Sequence, residues 1–170
     1  MSHTIGRVVV EVHGSPGSLE ALRFAVGHAH DFGAVLVPVI AWEPPGGDSA
    51  FRRYPTMLTD EWAAKAEDQL VAILEGVLED CLEHGMGLDL PAQPHIIRGR
   101  TGPALVDVAD QDGDVLVIGA DQRGLLRRAM YGSVPRHCLA HARCEVIVVP
   151  TDSLHSRAGR TVSLRQSFSG

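Results

Sequence analysis

The stretch Val8-Val9-Val10-Glu11-Val12-His13-Gly14-Ser15-Pro16-Gly17 decides the fold class. A β-branched run of this kind reads as a strand, and the glycines and proline that follow stop it in a tight turn. Beyond the turn, Leu22, Val26 and Ala29 recur at helical spacing, with Ser18 available as N-cap and Gly33 as the residue that ends the helix. The first unit is therefore strand, loop, helix.

The same unit repeats downstream. Val35 to Ala41 is an almost continuous apolar run, as expected of a strand covered on both faces of a parallel sheet. Pro38 is its irregularity: proline removes a ladder donor and normally sits at edges or bulges, so a distortion is expected there. Glu43 to Pro55, with Pro44-Pro45-Gly46-Gly47, reads as an exposed loop. Leu58, Trp62, Ala66, Leu70, Ile73, Leu74, Val77, Leu78, Cys81 and Leu82 then step by threes and fours, a long amphipathic helix closed by Gly85. His95 to Arg98 is a short strand, Thr101-Gly102-Pro103 opens a helix through Val108 with Asp112-Gly113 as its terminator, and Val115 to Ile118 is a further buried strand. A helix from Val134 to His141 and a strand from Val146 to Val149 complete the alternation.

Alternating strands and helices, with crossovers long enough for helices, imply an α/β fold: a parallel sheet with helices on both faces, a three-layer α/β/α arrangement. Ligands of such sheets bind beyond the C-terminal strand ends, where the strand order switches. Two loops are expected to meet there, His13 to Gly17 and Gly119 to Ser133. No linker interrupts residues 1–150, which read as one domain. The Thr, Ser, Arg and Gly-rich segment 151–170 keeps no apolar period and reads as a flexible tail.

A net charge of −6 argues against a general nucleic-acid or membrane-surface binder, and no apolar run is long enough to span a bilayer. With no leader pattern at Met1 to Arg7, the expected compartment is the cytoplasm. Cys81, Cys138 and Cys144 are too few for a disulfide framework or a four-ligand zinc site. Lys65 is the only lysine against fourteen arginines, which disfavours Schiff-base or P-loop lysine chemistry. His137 and His141 lie four apart on a predicted helix, a metal-capable spacing, but no third ligand converges, and a surface pair is the plainer reading.

A glycine-containing loop that feeds a helix is a natural anion site, because the first N–H groups of the helix lack partners. Gly132-Ser133 stands at such a point. Ser133 can cap the helix or give its hydroxyl to a phosphate, and both readings stay open on these two residues alone.

Three segments resemble the universal stress protein family. Val8 to Pro16 is similar to the family's opening strand and turn, V-x-V-D-G-S. Val115-Leu116-Val117-Ile118-Gly119 followed by Gly132-Ser133-Val134 resembles its nucleotide signature, G-x2-G-x9-G-[ST]. Cys144 to Pro150 resembles its closing strand. The resemblance implies a five-stranded parallel sheet of Rossmann-like type, akin to the adenine nucleotide alpha hydrolases. It also implies homodimerisation through the strand Val146 to Val149 and, in many members, binding of ATP or AMP. The site residues it implies are His13, Gly14, Ser15, Val39 (where an adenine contact is expected), Gly119, Gln122, Gly132, Ser133 and Val134.

Two of these depart from the pattern. Gln122 stands where the signature has its second glycine, and His13 where the family has aspartate. If the glycine uses positive φ, glutamine costs on the order of 1 kcal/mol and its side chain intrudes on the phosphate position. An imidazole in place of the carboxylate weakens metal-assisted binding, so no Mg is expected to be held by the protein itself, yet it permits direct phosphate pairing that strengthens as pH falls. Pro135 removes one donor at the helix start, whereas Arg123, Arg127 and Arg128 add positive charge in the loop.

The expected function is a stress-response sensor or regulator with a degenerate adenine-nucleotide site, with weak ATP hydrolysis at most, since no nucleophile-and-base constellation is present. The alternative is a dimeric interaction protein of the same family that no longer binds nucleotide.

Overall fold

The computed structural model describes residues 5–47, 54–84, 89–120, 133–151 and 162–164. Gln122 and Gly132, with Gly85, Arg123, Gly124, Arg127 and Arg128, lie outside them.

The strands are β1 (Arg7–Glu11), β2 (Val35–Trp42), β3 (His95–Arg98), β4 (Asp114–Ala120), β5 (Glu145–Pro150) and β6 (Val162–Leu164). The helices are α1 (Pro16–Phe32), α2 (Thr56–Glu83), α3 (Thr101–Val108) and α4 (Ser133–His141). The sheet order is β3-β2-β1-β4-β5-β6. The first five strands are all parallel, as crossovers through helices require, and β6 runs antiparallel to β5.

Side chains alternate across the sheet, and each face has its own helices. Val8, Val10 and Val12 pack with Leu22, Val26, Leu70 and Val77 of α1 and α2. Val9, Val37, Leu116 and Ile118 pack on the other side with Leu105 of α3 and Cys138 of α4. β1 is the central strand, and Val8, Val9 and Val10 are wholly buried.

Local chemistry places the start of α1 differently from the sequence reading. α1 begins at Pro16, with Ser15 rather than Ser18 as N-cap: Ser15 accepts from the Ser18 N–H, and proline occupies the first helical turn. Gly33 ends the helix in the left-handed conformation, φ 63°, as expected. α3 runs through Val108, as the sequence implies, with Ala109 as its C-cap.

Pro38 does sit inside the sheet, and the register explains how. The Val35 N–H bonds to Gly6 on the β1 side and the Leu36 N–H to Pro91 on the other, so residue 38 shares the outward direction of residue 36. There the partner chain is interrupted between the bridge at Ala92 and the start of β3 at His95. The missing donor meets a gap in the ladder.

The segment after Pro150 contributes β6, which pairs Val162 with Val148, Ser163 with Ile147 and Leu164 with Val146. The outer edge of β5 is thus bonded to the chain's own C-terminal region. Three residues are too short a run to show a period in the sequence.

At the opposite end of β1 from the candidate site, Arg7 and Asp114 join the two central strands. The Arg7 guanidinium donates to both Asp114 oxygens at 2.9 and 2.6 Å and to the Val108 carbonyl at 2.8 Å. These bonds to Asp114, only partly opposed by burial, hold the Arg7 pKa above its ordinary value.

Candidate nucleotide site

Strand order reverses between β1 and β4: from β1 the chain moves outward to β2 and β3, then returns beside β1 as β4. The crevice beyond the C-terminal ends of these two strands is where an open α/β sheet takes its ligand.

His13, Gly14 and Ser15 form the turn from β1 into α1. Gly14 has φ 82°, and a Cβ there would meet Ile73 Cδ1 of α2 at 3.3 Å, so both backbone sign and space call for glycine. Ser18, buried in the first turn, ties the loop down: its Oγ accepts from the His13 N–H at 2.9 Å and donates to the Glu11 carbonyl at 3.3 Å. Gln69 of α2 donates to the His13 carbonyl at 3.3 Å. The Ser15 hydroxyl accepts from the Ser18 N–H at 3.2 Å, and a hydroxyl that accepts in this way can also donate its proton to an anion.

Gly119, near the end of β4, lies against the start of α1. A Cβ at Gly119 would stand 2.2 Å from the Gly17 carbonyl oxygen and 2.8 Å from the Ser18 nitrogen. Only glycine lets β4 and the helix N-terminus approach so closely. Of the two loops expected to meet, the turn from His13 to Gly17 lies against Gly119, the residue at which the other was expected to begin.

Val39 occupies a different level. It pairs with Glu11 in the register, is 1% exposed, and its carbonyl accepts from the Val12 N–H at 2.9 Å. It is part of the wall beneath the crevice. Ser133 and Val134 open α4, with Val134 packed against the cluster formed by Leu105, Ile118 and Cys138. Further along α4, His137 presses on Gly102, where a Cβ would come within 3.0 Å of the ring, and stacks on His141 with centroids 4.2 Å apart. Desolvation, then His141 and Arg100, lower the His137 pKa, which favours a neutral packed ring. Among the described residues no group of three or more His, Cys, Asp or Glu side chains could hold a metal ion.

The sequence reading passed over Glu11. It is 6% exposed at the end of the central strand, on the α3 and α4 side, and its Oε1 lies 3.4 Å from His13 Nδ1. One signal was available: a carboxylate inside a valine run predicted to be a buried strand needs a reason to be there. Burial, with Glu11 as a lesser contributor, pushes the Cys138 thiol up to about 12, and burial pushes Cys144 to about 11. Both thiols are inert at neutral pH.

The sequence model of the Universal stress protein family matches residues 4–150. The chain belongs to the universal stress protein family. Universal stress protein Slr1101 of Synechocystis sp. is 36% identical over 75 residues, which span 44% of this chain and 69% of that protein. Among solved structures, the universal stress protein from Archaeoglobus fulgidus superposes with a TM-score of 0.58 at 25% identity, covering 84% of this chain and 97% of that one. A universal stress protein in complex with cAMP superposes with a TM-score of 0.57 at 22% identity, covering 86% and 98%. The five parallel strands and flanking helices are this family's Rossmann-like fold, and no helix among the described residues is long and apolar enough to cross a membrane.

Proposed function

We propose that this universal stress protein binds an adenine nucleotide, ATP or AMP, in the crevice between the ends of β1 and β4, and serves as a cytoplasmic stress-response sensor or regulator. One observation carries the reading: at Gly119 the end of β4 packs closely against the N-terminus of α1 at Gly17, beside the point where the strand order switches. The family relative solved with cAMP supports adenine nucleotide as the ligand class.

The proposed contacts are His13, Gly14 and Ser15 from the first turn, Gly119 at the end of β4 and Gln122 beyond it, and Gly132, Ser133 and Val134 around the start of α4, with Val39 behind the adenine. The site is degenerate in this proposal. Gln122 replaces a glycine and His13 a carboxylate, so phosphate is held by N–H groups and imidazole, without a protein-bound Mg. Two copies pair through Val146 to Val149.

A second reading, a dimeric interaction protein without nucleotide binding, is favoured by Glu11, whose buried carboxylate places negative charge beside His13. Calorimetric titration of ATP, ADP and AMP into the folded protein, with mass spectrometry of the denatured supernatant, decides between them. Saturable binding or co-purified nucleotide supports the first, and clean absence of both supports the second.

A further inference from the structure

The outer edge of β5 is a strand-pairing surface, and β6 already occupies it. The pairing covers Val146, Ile147 and Val148 of a strand that runs from Glu145 to Pro150. β6 is antiparallel to β5, whereas every other pair in the sheet is parallel. That orientation matters. Two copies joined edge to edge about a two-fold axis pair the same strand with itself, and such a pair is antiparallel. β6 therefore sits on the edge in the direction that a second copy's β5 would take.

The sequences agree with such a substitution. Val162 and Leu164 stand at the register positions of Val148 and Val146, and Ser163 at that of Ile147, so a valine-serine-leucine strand opposes valine-isoleucine-valine. An exposed apolar edge is a template for pairing, and natural sheets close it or pair it. Here the closing strand is three residues long and is joined to β5 through residues 151–161. A short strand tethered in the same chain is held by high effective concentration rather than by many bonds, and can be exchanged for a longer strand.

We propose that β6 is an exchangeable cap: it closes the β5 edge within one chain, and a second copy of this chain pairs through Val146 to Val149 only when β6 leaves. The C-terminal segment thereby controls assembly. The inference rests on the reading that β5 is the edge through which copies pair.

Sedimentation velocity on three full-length proteins tests it, each checked for folding by circular dichroism. The double variant Val162→Pro with Ser163→Pro disables β6, because successive N–H groups of a strand face opposite edges and one of the two must face β5. The double variant Ile147→Cys with Ser163→Cys, oxidised to an intramolecular disulfide, locks β6 in place. The proline variant is expected to dimerise at least tenfold more tightly than the unaltered chain, and the locked variant to stay monomeric until reduced.

If the locked chain dimerises as tightly as the proline variant, copies pair through another surface and the β5 reading fails. If the locked chain is monomeric while the unaltered and proline chains dimerise equally, the β5 reading stands and control by β6 is overturned. If the proline variant stays monomeric at all concentrations, both are overturned. A disulfide that forms between chains shows exchange in trans and overturns capping within one chain.

Discussion

His13 Nδ1 lies 3.4 Å from Glu11 Oε1 at the C-terminal end of the central strand, with the Glu11 side chain 7% exposed and the imidazole 46% exposed. The Glu11 side chain is buried at the end of β1 and the imidazole beside it is half-exposed. When the imidazole is protonated it neutralises the carboxylate and presents a donor to phosphate. When it is neutral, an incoming phosphate faces Glu11 uncompensated. Phosphate binding favours the protonated imidazole, so nucleotide affinity is expected to rise several-fold from pH 8 to pH 6. Calorimetry with ATP over this range checks it, and His13→Ala should flatten the profile.

Glu11→Gln keeps the shape and removes the charge. At pH 8 it should tighten ATP binding about threefold to tenfold, the effect of removing one nearby like charge in a partly solvated site. Unchanged affinity would show that the Glu11 carboxylate is turned away from the phosphate.

Gly119→Ala places a methyl group 2.2 Å from the Gly17 carbonyl oxygen, and the obstacle is backbone that cannot swing aside. The expected cost is about 3 kcal/mol of stability, with the start of α1 displaced from β4. Urea unfolding measures the first effect and loss of nucleotide binding at the remaining folded fraction reports the second.

Buried Cys138 sets an alkaline limit. Its thiol is raised from the ordinary value of 9.0 to about 12, chiefly by burial. Between those values the folded state keeps a proton that the unfolded state has released, so this contribution is harmless below pH 9 and stability falls as pH rises beyond it. The slope from one such thiol is up to about 1.4 kcal/mol per pH unit. Thermal unfolding between pH 8.5 and about 11 should show the decline, and Cys138→Ala should reduce it.

The strands and helices were legible because burial on both faces leaves apolar runs such as Val115 to Ile118, and because Gly33 and Pro103 mark a helix end and start by mechanisms that act locally. The strand-order reversal was legible too, with the turn from His13 to Gly17 beside it. What escaped depends on partners distant in the chain. Arg7 and Asp114 look like ordinary surface charges until the register of β1 with β4 sets them side by side. Pro38 is tolerable only because the ladder on its far side breaks between Ala92 and His95. Ser15 displaced Ser18 as cap because Ser18 is drawn inward to bind His13 and Glu11. β6 carries too few residues to declare itself without β5 beside it.

The central claim, an adenine-nucleotide site where β1 and β4 diverge, is tested most directly by titrating AMP into the isotope-labelled full chain and following its backbone amide resonances. The account predicts saturable shifts concentrated at His13, Gly14, Ser15, Gly119, Ser133 and Val134. No saturable shift in the folded protein, or shifts confined to residues away from these loops, would contradict it.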